Sequence, residues 1–188
     1  MKIKVINLLG GPGSGKSTIS SKLFSDMKIN GYNVDFVHEY IKKWTYLNLF
    51  PNSFDQLYVT AKQIYEIDIR LRNNVNYVVV DGAPVMGAFY AQYNNMSYWK
   101  HLIELIKNVD AVYPPLNIFI NVKKDEKKYN KHGRFHSLEQ SIQIDKVMLR
   151  FLLDLYDKNR LYILPRNYET IKTFVLSKLF GGNNHEHR

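Results

Sequence analysis

Gly10-Gly11-Pro12-Gly13-Ser14-Gly15-Lys16-Ser17-Thr18 decides the fold of this chain. Its spelling completes G-x-x-x-x-G-K-[ST], a glycine-rich loop whose backbone N–H groups turn inward as a nest for phosphate oxygens. The apolar run from Ile3 to Leu9 ahead of it reads as a buried strand, and Ile19, Leu23, Phe24 and Met27 behind it share one face of a helix. A helix starting at the loop adds its positive dipole end to the nest. Gly11, Gly13, Ser14, Gly15, Lys16, Ser17 and Thr18 are the expected nucleotide contacts. Lys16 is expected to reach the β- and γ-phosphates, and the Ser17 hydroxyl to ligate Mg²⁺. A glycine-rich turn with a surface lysine would not require the flanking strand and helix. The stretch reads as a nucleoside triphosphate site.

Outward from the loop, short apolar runs alternate with helical patterns. After the turn Asn30-Gly31-Tyr32, a second strand is expected at Val34–Val37, ending at His38-Glu39. A helix-like segment from Tyr40 to Phe50 stops at Pro51, and Asn52 or Ser53 is the expected cap of a long helix with Leu57, Ala61, Ile64, Ile67 and Leu71 on its apolar face. A third strand is expected at Tyr77–Asp81, a short helix plus loop over 85–95, and another helix at Trp99–Val109. Leu116–Val122 reads as a fourth strand. Ser137 with Glu139 or Gln140 opens a helix whose apolar positions include Leu138, Ile142, Val147, Leu149, Leu152 and Leu155. Tyr162–Leu164 is a fifth strand, Tyr168–Leu179 a last helix, and 181–188 an expected disordered tail. Five apolar strands alternating with helices imply one α/β domain over 1–180, with a parallel sheet covered on both faces and ligands at the strand C-termini.

Composition limits the choices. The 188 residues, 45% of them hydrophobic, suffice for one core. There is no cysteine, which excludes disulfides and thiolate metal sites. No apolar run approaches a membrane span, and Met1-Lys2-Ile3 leads directly into a strand, so no signal peptide and a cytoplasmic setting are expected. A formal charge of +9 fits either a basic surface around an anionic nucleotide or a polyanionic substrate such as DNA or RNA. No aromatic-and-basic repeat decides between them.

Candidate chemistry gathers at the strand ends. Asp81 closes the run Tyr77–Val80, where a carboxylate can hold Mg²⁺ or accept a proton from a substrate hydroxyl. Glu39 ends the second strand and can face an acceptor hydroxyl as general base, whereas His38 reads as a packing residue. The charged stretch 123–136 lacks a hydrophobic period; Lys123 to Lys128 read individually as solvated charges, and the stretch as a basic lid with Gly133 as hinge and Arg134 as a fork for phosphate oxygens.

With these residues in view, the chain resembles P-loop kinases of the nucleoside and nucleotide kinase group. More closely, it is similar to small phage-encoded ATP-binding proteins related to the nicotinamide riboside kinase domain. The matching pieces are Gly10 to Thr18, His38-Glu39-Tyr40-Ile41-Lys42, the strand ending at Asp81, and Tyr129 through Arg134 and Glu139 to Ile144-Asp145. The resemblance implies a three-layer αβα sandwich with sheet order 2-3-1-4-5, ATP rather than GTP, and host cytoplasm for a phage-encoded member. It also implies Lys16 and Ser17 on phosphate and Mg²⁺, Asp81 at metal or acceptor, and Arg134 as a lid arginine. One departure matters: such proteins often follow the acid with Ser-Pro, whereas Asp81 here precedes Gly82-Ala83-Pro84. The acceptor therefore stays open: a nucleoside-like hydroxyl or phosphate, free or carried in DNA or RNA. The alternative is a regulatory or nucleic-acid-associated NTPase that hydrolyses ATP, although a guanine-specifying Asn-Lys-x-Asp is absent. Oligomeric state is open, with a dimer as one option.

Overall fold

Parallel strands β1 (Val5–Leu9), β2 (Val34–Val37), β3 (Tyr77–Asp81), β4 (Pro115–Asn121) and β5 (Leu161–Pro165) pair in the order β2-β3-β1-β4-β5. The computed structural model describes residues 2–124 and 136–181. Its helices are α1 (Lys16–Ile29), α2 (Lys42–Tyr46), α3 (Asp55–Arg72), α4 (Pro84–Tyr93), α5 (Trp99–Val112), α6 (Leu138–Leu155) and α7 (Tyr168–Phe180). The order is the one the family resemblance implies.

Alternation along the strands builds the three layers. Ile6 and Leu8 of β1 point with Val79 and Ile118 into a core closed by Ile19, Leu23 and Met27 of α1 and Ile171 and Val175 of α7. Val5, Val37, Val78 and Val80 face the other way onto Ile67 of α3. On that same side, Leu9 and Phe119 meet Phe89 of α4, Leu102 of α5, and Ile144 and Met148 of α6. Every β1 and β3 position is buried, as expected for central strands covered on both faces. Buried Asn7 and Asn117 are register partners on β1 and β4, and the Asn7 Nδ2 donates to Asn117 Oδ1 at 2.8 Å.

Several sequence expectations are corrected. Neither Asn52 nor Ser53 caps α3; Phe54 occupies that position, and Asp55 instead accepts the Asn52 N–H at 2.9 Å. The buried face of α3 is Gln56, Val59, Thr60, Gln63 and Ile67, while Leu57 is exposed. Ile67 and Leu71 of the expected stripe do pack on the sheet, but nearer its start the helix turns polar side chains toward the cleft described below, which apolar spacing could not reveal. In α6 the buried stripe is Ser141, Ile144, Met148, Phe151 and Leu152, and Val147 is exposed. Ser137 caps α6 as expected, in a reciprocal capping box with Gln140. The segment 85–95 is a short helix plus loop as expected: Pro84 starts the buried helix, and Gly87 lets Thr60 of α3 pack where a Cβ would collide. Most of the expected lid, 125–135, and the tail 182–188 lie outside the described residues, and Lys124, expected to be solvated, instead buries its side chain against Asp145 of α6.

One partly buried acid lies away from the strand C-termini. Burial pushes Asp110 on α5 up to about 6, against the Tyr156 hydroxyl that donates to it at 3.0 Å. The unfolded chain releases this proton near 3.8, so between those values the folded state binds more protons and stability falls as pH rises. Asp110→Asn keeps an acceptor for Tyr156 and is expected to stabilise the protein by about 1–2 kcal/mol at pH 7.5 and little at pH 4. Thermal unfolding at the two pH values checks this, and equal shifts at both would refute it.

Candidate active site

The strand C-termini open onto a cleft of about 700 Å³ whose floor includes Lys16, Glu39 and Gly82. Gly13, Gly15, Lys16, Ser17 and Thr18 line its phosphate-loop end, as does Pro12. Gly13 and Gly15 have φ of 80° and 94°, the left-handed backbone that the curl requires. Lys16 is the first residue of α1 and is buried, and its ammonium donates to the Gly10 and Gly11 carbonyls at 2.7 and 3.1 Å. Gly11 and Ser14, also residues of the loop, are not among those lining the cleft. The Gly11 N–H is taken by Asp145, and the buried Ser14 hydroxyl has no hydrogen-bond partner.

Two acids approach from adjacent strand ends. Asp81 is buried at the end of β3, and its Oδ1 has no hydrogen-bond partner. Glu39 follows β2 and packs against Gly82, whose added Cβ would lie 2.8 Å from Glu39 Cγ. The positive φ of 82° at Gly82 and this close approach both demand glycine there. The departure from Ser-Pro after the acid thus makes room for Glu39. Burial pushes the Glu39 carboxyl above the usual carboxylate range; Lys16 opposes this and Asp81 adds to it.

Gln63, which apolar periodicity passed over, joins the two strand ends. Its Nε2 donates to the His38 carbonyl at 3.2 Å and to that of Asp81 at 3.4 Å, and its Oε1 accepts the Tyr40 N–H at 3.3 Å. His38 itself is exposed and meets Phe36 edge-on, with ring centroids 4.6 Å apart. Arg166, just past β5, lies over the loop, with Cδ 2.9 Å from where a Cβ on Gly15 would stand. Tyr40, Tyr46, Phe50, Tyr90, Tyr93 and His136 also line the cleft. The Tyr90 and His136 rings stack with centroids 6.5 Å apart. Arg134 lies outside the described residues.

The donor set can be tested against Mg²⁺. Among the described residues no group of three or more His, Cys, Asp or Glu is arranged to hold a metal ion. A hydroxyl at Ser17 and the buried Asp81 Oδ1, without a hydrogen-bond partner among the described residues, fit a hard cation that takes its other ligands from water and phosphate.

A parallel sheet ordered β2-β3-β1-β4-β5, with a glycine loop between β1 and α1, defines a P-loop nucleotide-binding protein. The chain belongs to the AAA domain family, whose model matches residues 5–169. Solved structures share the fold at low identity. A NadR protein in complex with NAD and AMP-PNP aligns at 16% identity and TM-score 0.68, over 99% of this chain and 51% of its own. A NadR protein in complex with NR gives 16% and 0.69, over 99% and 52%. Deoxyadenosine kinase from M. mycoides gives 19% and 0.59, over 94% and 99%. The chain thus spans about half the length of the NadR chains. No curated protein matches it. No helix among the described residues is long and apolar enough to cross a membrane.

Proposed function

We propose that this protein is an ATP-dependent kinase that transfers the γ-phosphoryl group to a hydroxyl of a nucleoside-like acceptor. The observation that carries this reading is the pairing of Glu39 with the phosphate loop across one cleft. A carboxylate pushed above its usual range, beside Lys16, suits a base that must take a proton near neutral pH. A hydrolytic switch needs only an ordered water, whereas this cleft is also lined by aromatic rings able to stack a base. The fold shared with a deoxyadenosine kinase and with NadR bound to AMP-PNP supports the same reading.

In this reading the nest and Lys16 hold the triphosphate, and Ser17 and Asp81 would hold Mg²⁺, which when bound neutralises phosphate charge. Glu39 accepts the acceptor hydroxyl's proton as its oxygen attacks the γ-phosphorus and the bond to the β-phosphate oxygen breaks, leaving ADP. Gln63 keeps Glu39 and Asp81 in register. Arg134 would supply a cation at the phosphates from the basic stretch, whose first part is not used in this way, since Lys124 is engaged with Asp145 of α6. Sequence departures around Gly82 leave the acceptor to experiment.

A second reading places the acceptor nucleoside within a polynucleotide. Tyr46, Phe50 and Lys42 line the cleft and are exposed, and exposed Lys43, Phe54 and Tyr58 lie close to them in the sequence, in a chain of net charge +9. Exposed rings among cations suit stacked bases and phosphates. Incubation with γ-labelled ATP and panels of nucleosides, nucleotides and single-stranded oligonucleotides separates the options. Label on an acceptor supports the kinase, and label released only as inorganic phosphate refutes it in favour of an NTPase. Apparent affinity for a polynucleotide acceptor should fall steeply with salt; for a free nucleoside it should not.

A further inference from the structure

The first turn of the P-loop is held from behind by groups that the proposed reaction does not use. The Gly11 N–H donates to Asp145 Oδ1 at 2.6 Å. Lys124 Nζ pairs with Asp145 Oδ2 at 2.5 Å and donates to the Ser141 carbonyl at 2.9 Å. Only 3% of the Lys124 side chain and 17% of that of Asp145 is exposed. Three segments meet there: the loop, the residues just past β4, and α6. A Cβ on Gly11 would stand 2.5 Å from Asp145 Oδ1, so the carboxylate fills the space that a side chain would need.

Residue 11 therefore works from both ends. Its N–H is pinned by Asp145, and its carbonyl accepts from the Ser14 N–H at 3.3 Å and from Lys16 Nζ at 3.1 Å. The charge pattern is informative. A carboxylate behind a phosphate nest has the wrong sign for binding a triphosphate, and a bare one would repel it at short range. Lys124 cancels that charge while leaving the stronger acceptor that a carboxylate offers to an N–H. A purely structural contact needs no such arrangement, because a neutral side chain could accept the same N–H.

We propose that Asp145, neutralised by Lys124, is the positioning residue that fixes the first turn of the P-loop and, through it, the Lys16 ammonium. The proposal rests on the nucleotide-site reading of that loop and goes beyond it by assigning the loop's shape to α6 and to the root of the basic stretch.

Three variants of the full chain test it: Asp145→Ala, Lys124→Met, and Lys124→Met with Asp145→Asn. In nucleotide-free protein, hydrogen exchange over 10–16 should accelerate by about tenfold or more in Asp145→Ala, since the loop loses its anchor. By calorimetry, ATP affinity should fall about tenfold in Asp145→Ala and in Lys124→Met, the latter because it leaves a bare carboxylate beside the phosphates. The double variant removes both charges and should recover to within about threefold of the parent. Acceptor KM should not move. A merely structural role would lower the melting temperature of all three while sparing ATP affinity well below it. Unchanged exchange in folded Asp145→Ala, or no recovery in the double variant, overturns the proposal. Accelerated exchange in Asp145→Ala, with a parent protein that binds no nucleoside triphosphate, would instead sink the nucleotide-site reading and leave the pinning in place.

Discussion

Lys16→Ala is expected to lower phosphoryl transfer by about 10³-fold, the upper scale for removing one preorganised charge partner from a water-poor site. The ammonium is buried at the start of α1 and already held at the loop by the Gly10 and Gly11 carbonyls. Little reorganisation is needed for it to meet phosphate oxygens, which makes its contribution in the transition state large. The fold should survive. The side chain bonds to loop carbonyls and lies outside the apolar clusters of the three-layer core. Steady-state assays with γ-labelled ATP, alongside circular dichroism and thermal melting, check both halves. An unchanged rate in a folded variant would remove the loop from the reaction.

Much of this arrangement was legible in the residues. The loop spelling, with an apolar strand before it and a helix after, located β1, α1 and the phosphate end of the cleft. The runs ending at Glu39 and Asp81 located β2 and β3, because central parallel strands are apolar throughout and stop where polar residues begin. The sheet order came from the family resemblance, since spacing alone leaves strand order undetermined. What stayed hidden has physical causes. Gln56, Thr60 and Gln63 are buried on α3 because the helix forms a wall of a polar cleft, and polar residues on a buried face defeat apolar periodicity. Asp145 is 134 positions from Gly11, and only the folded chain brings them together. Gly82 was visible as a departure, but its meaning appeared only once Glu39 was seen against it.

Glu39→Gln tests the chemistry rather than the binding. The amide keeps the shape that packs against Gly82 but cannot take a proton, so turnover should fall about 10²- to 10⁴-fold, the range for losing a general base. ATP affinity should change little, because Gln cannot add negative charge near the phosphates. Asp81→Asn offers the contrast. Its buried, orphaned oxygen is the expected metal ligand, so that variant should raise the Mg²⁺ concentration needed for activity, whereas Glu39→Gln should not. The pH profile adds a readout of its own. Burial raises the Glu39 carboxyl, with Asp81 adding and Lys16 opposing, so the parent's kcat/KM should fall as acidification protonates it, and that limb should lie above the ordinary carboxylate range. In Glu39→Gln the acid limb should vanish from the residual activity. Deletion of Lys16 would move the limb still higher, because it removes the cation that favours the ionised carboxyl. If the limb persisted unchanged in Glu39→Gln, another group would be the base, and Asp81 would be the first to test.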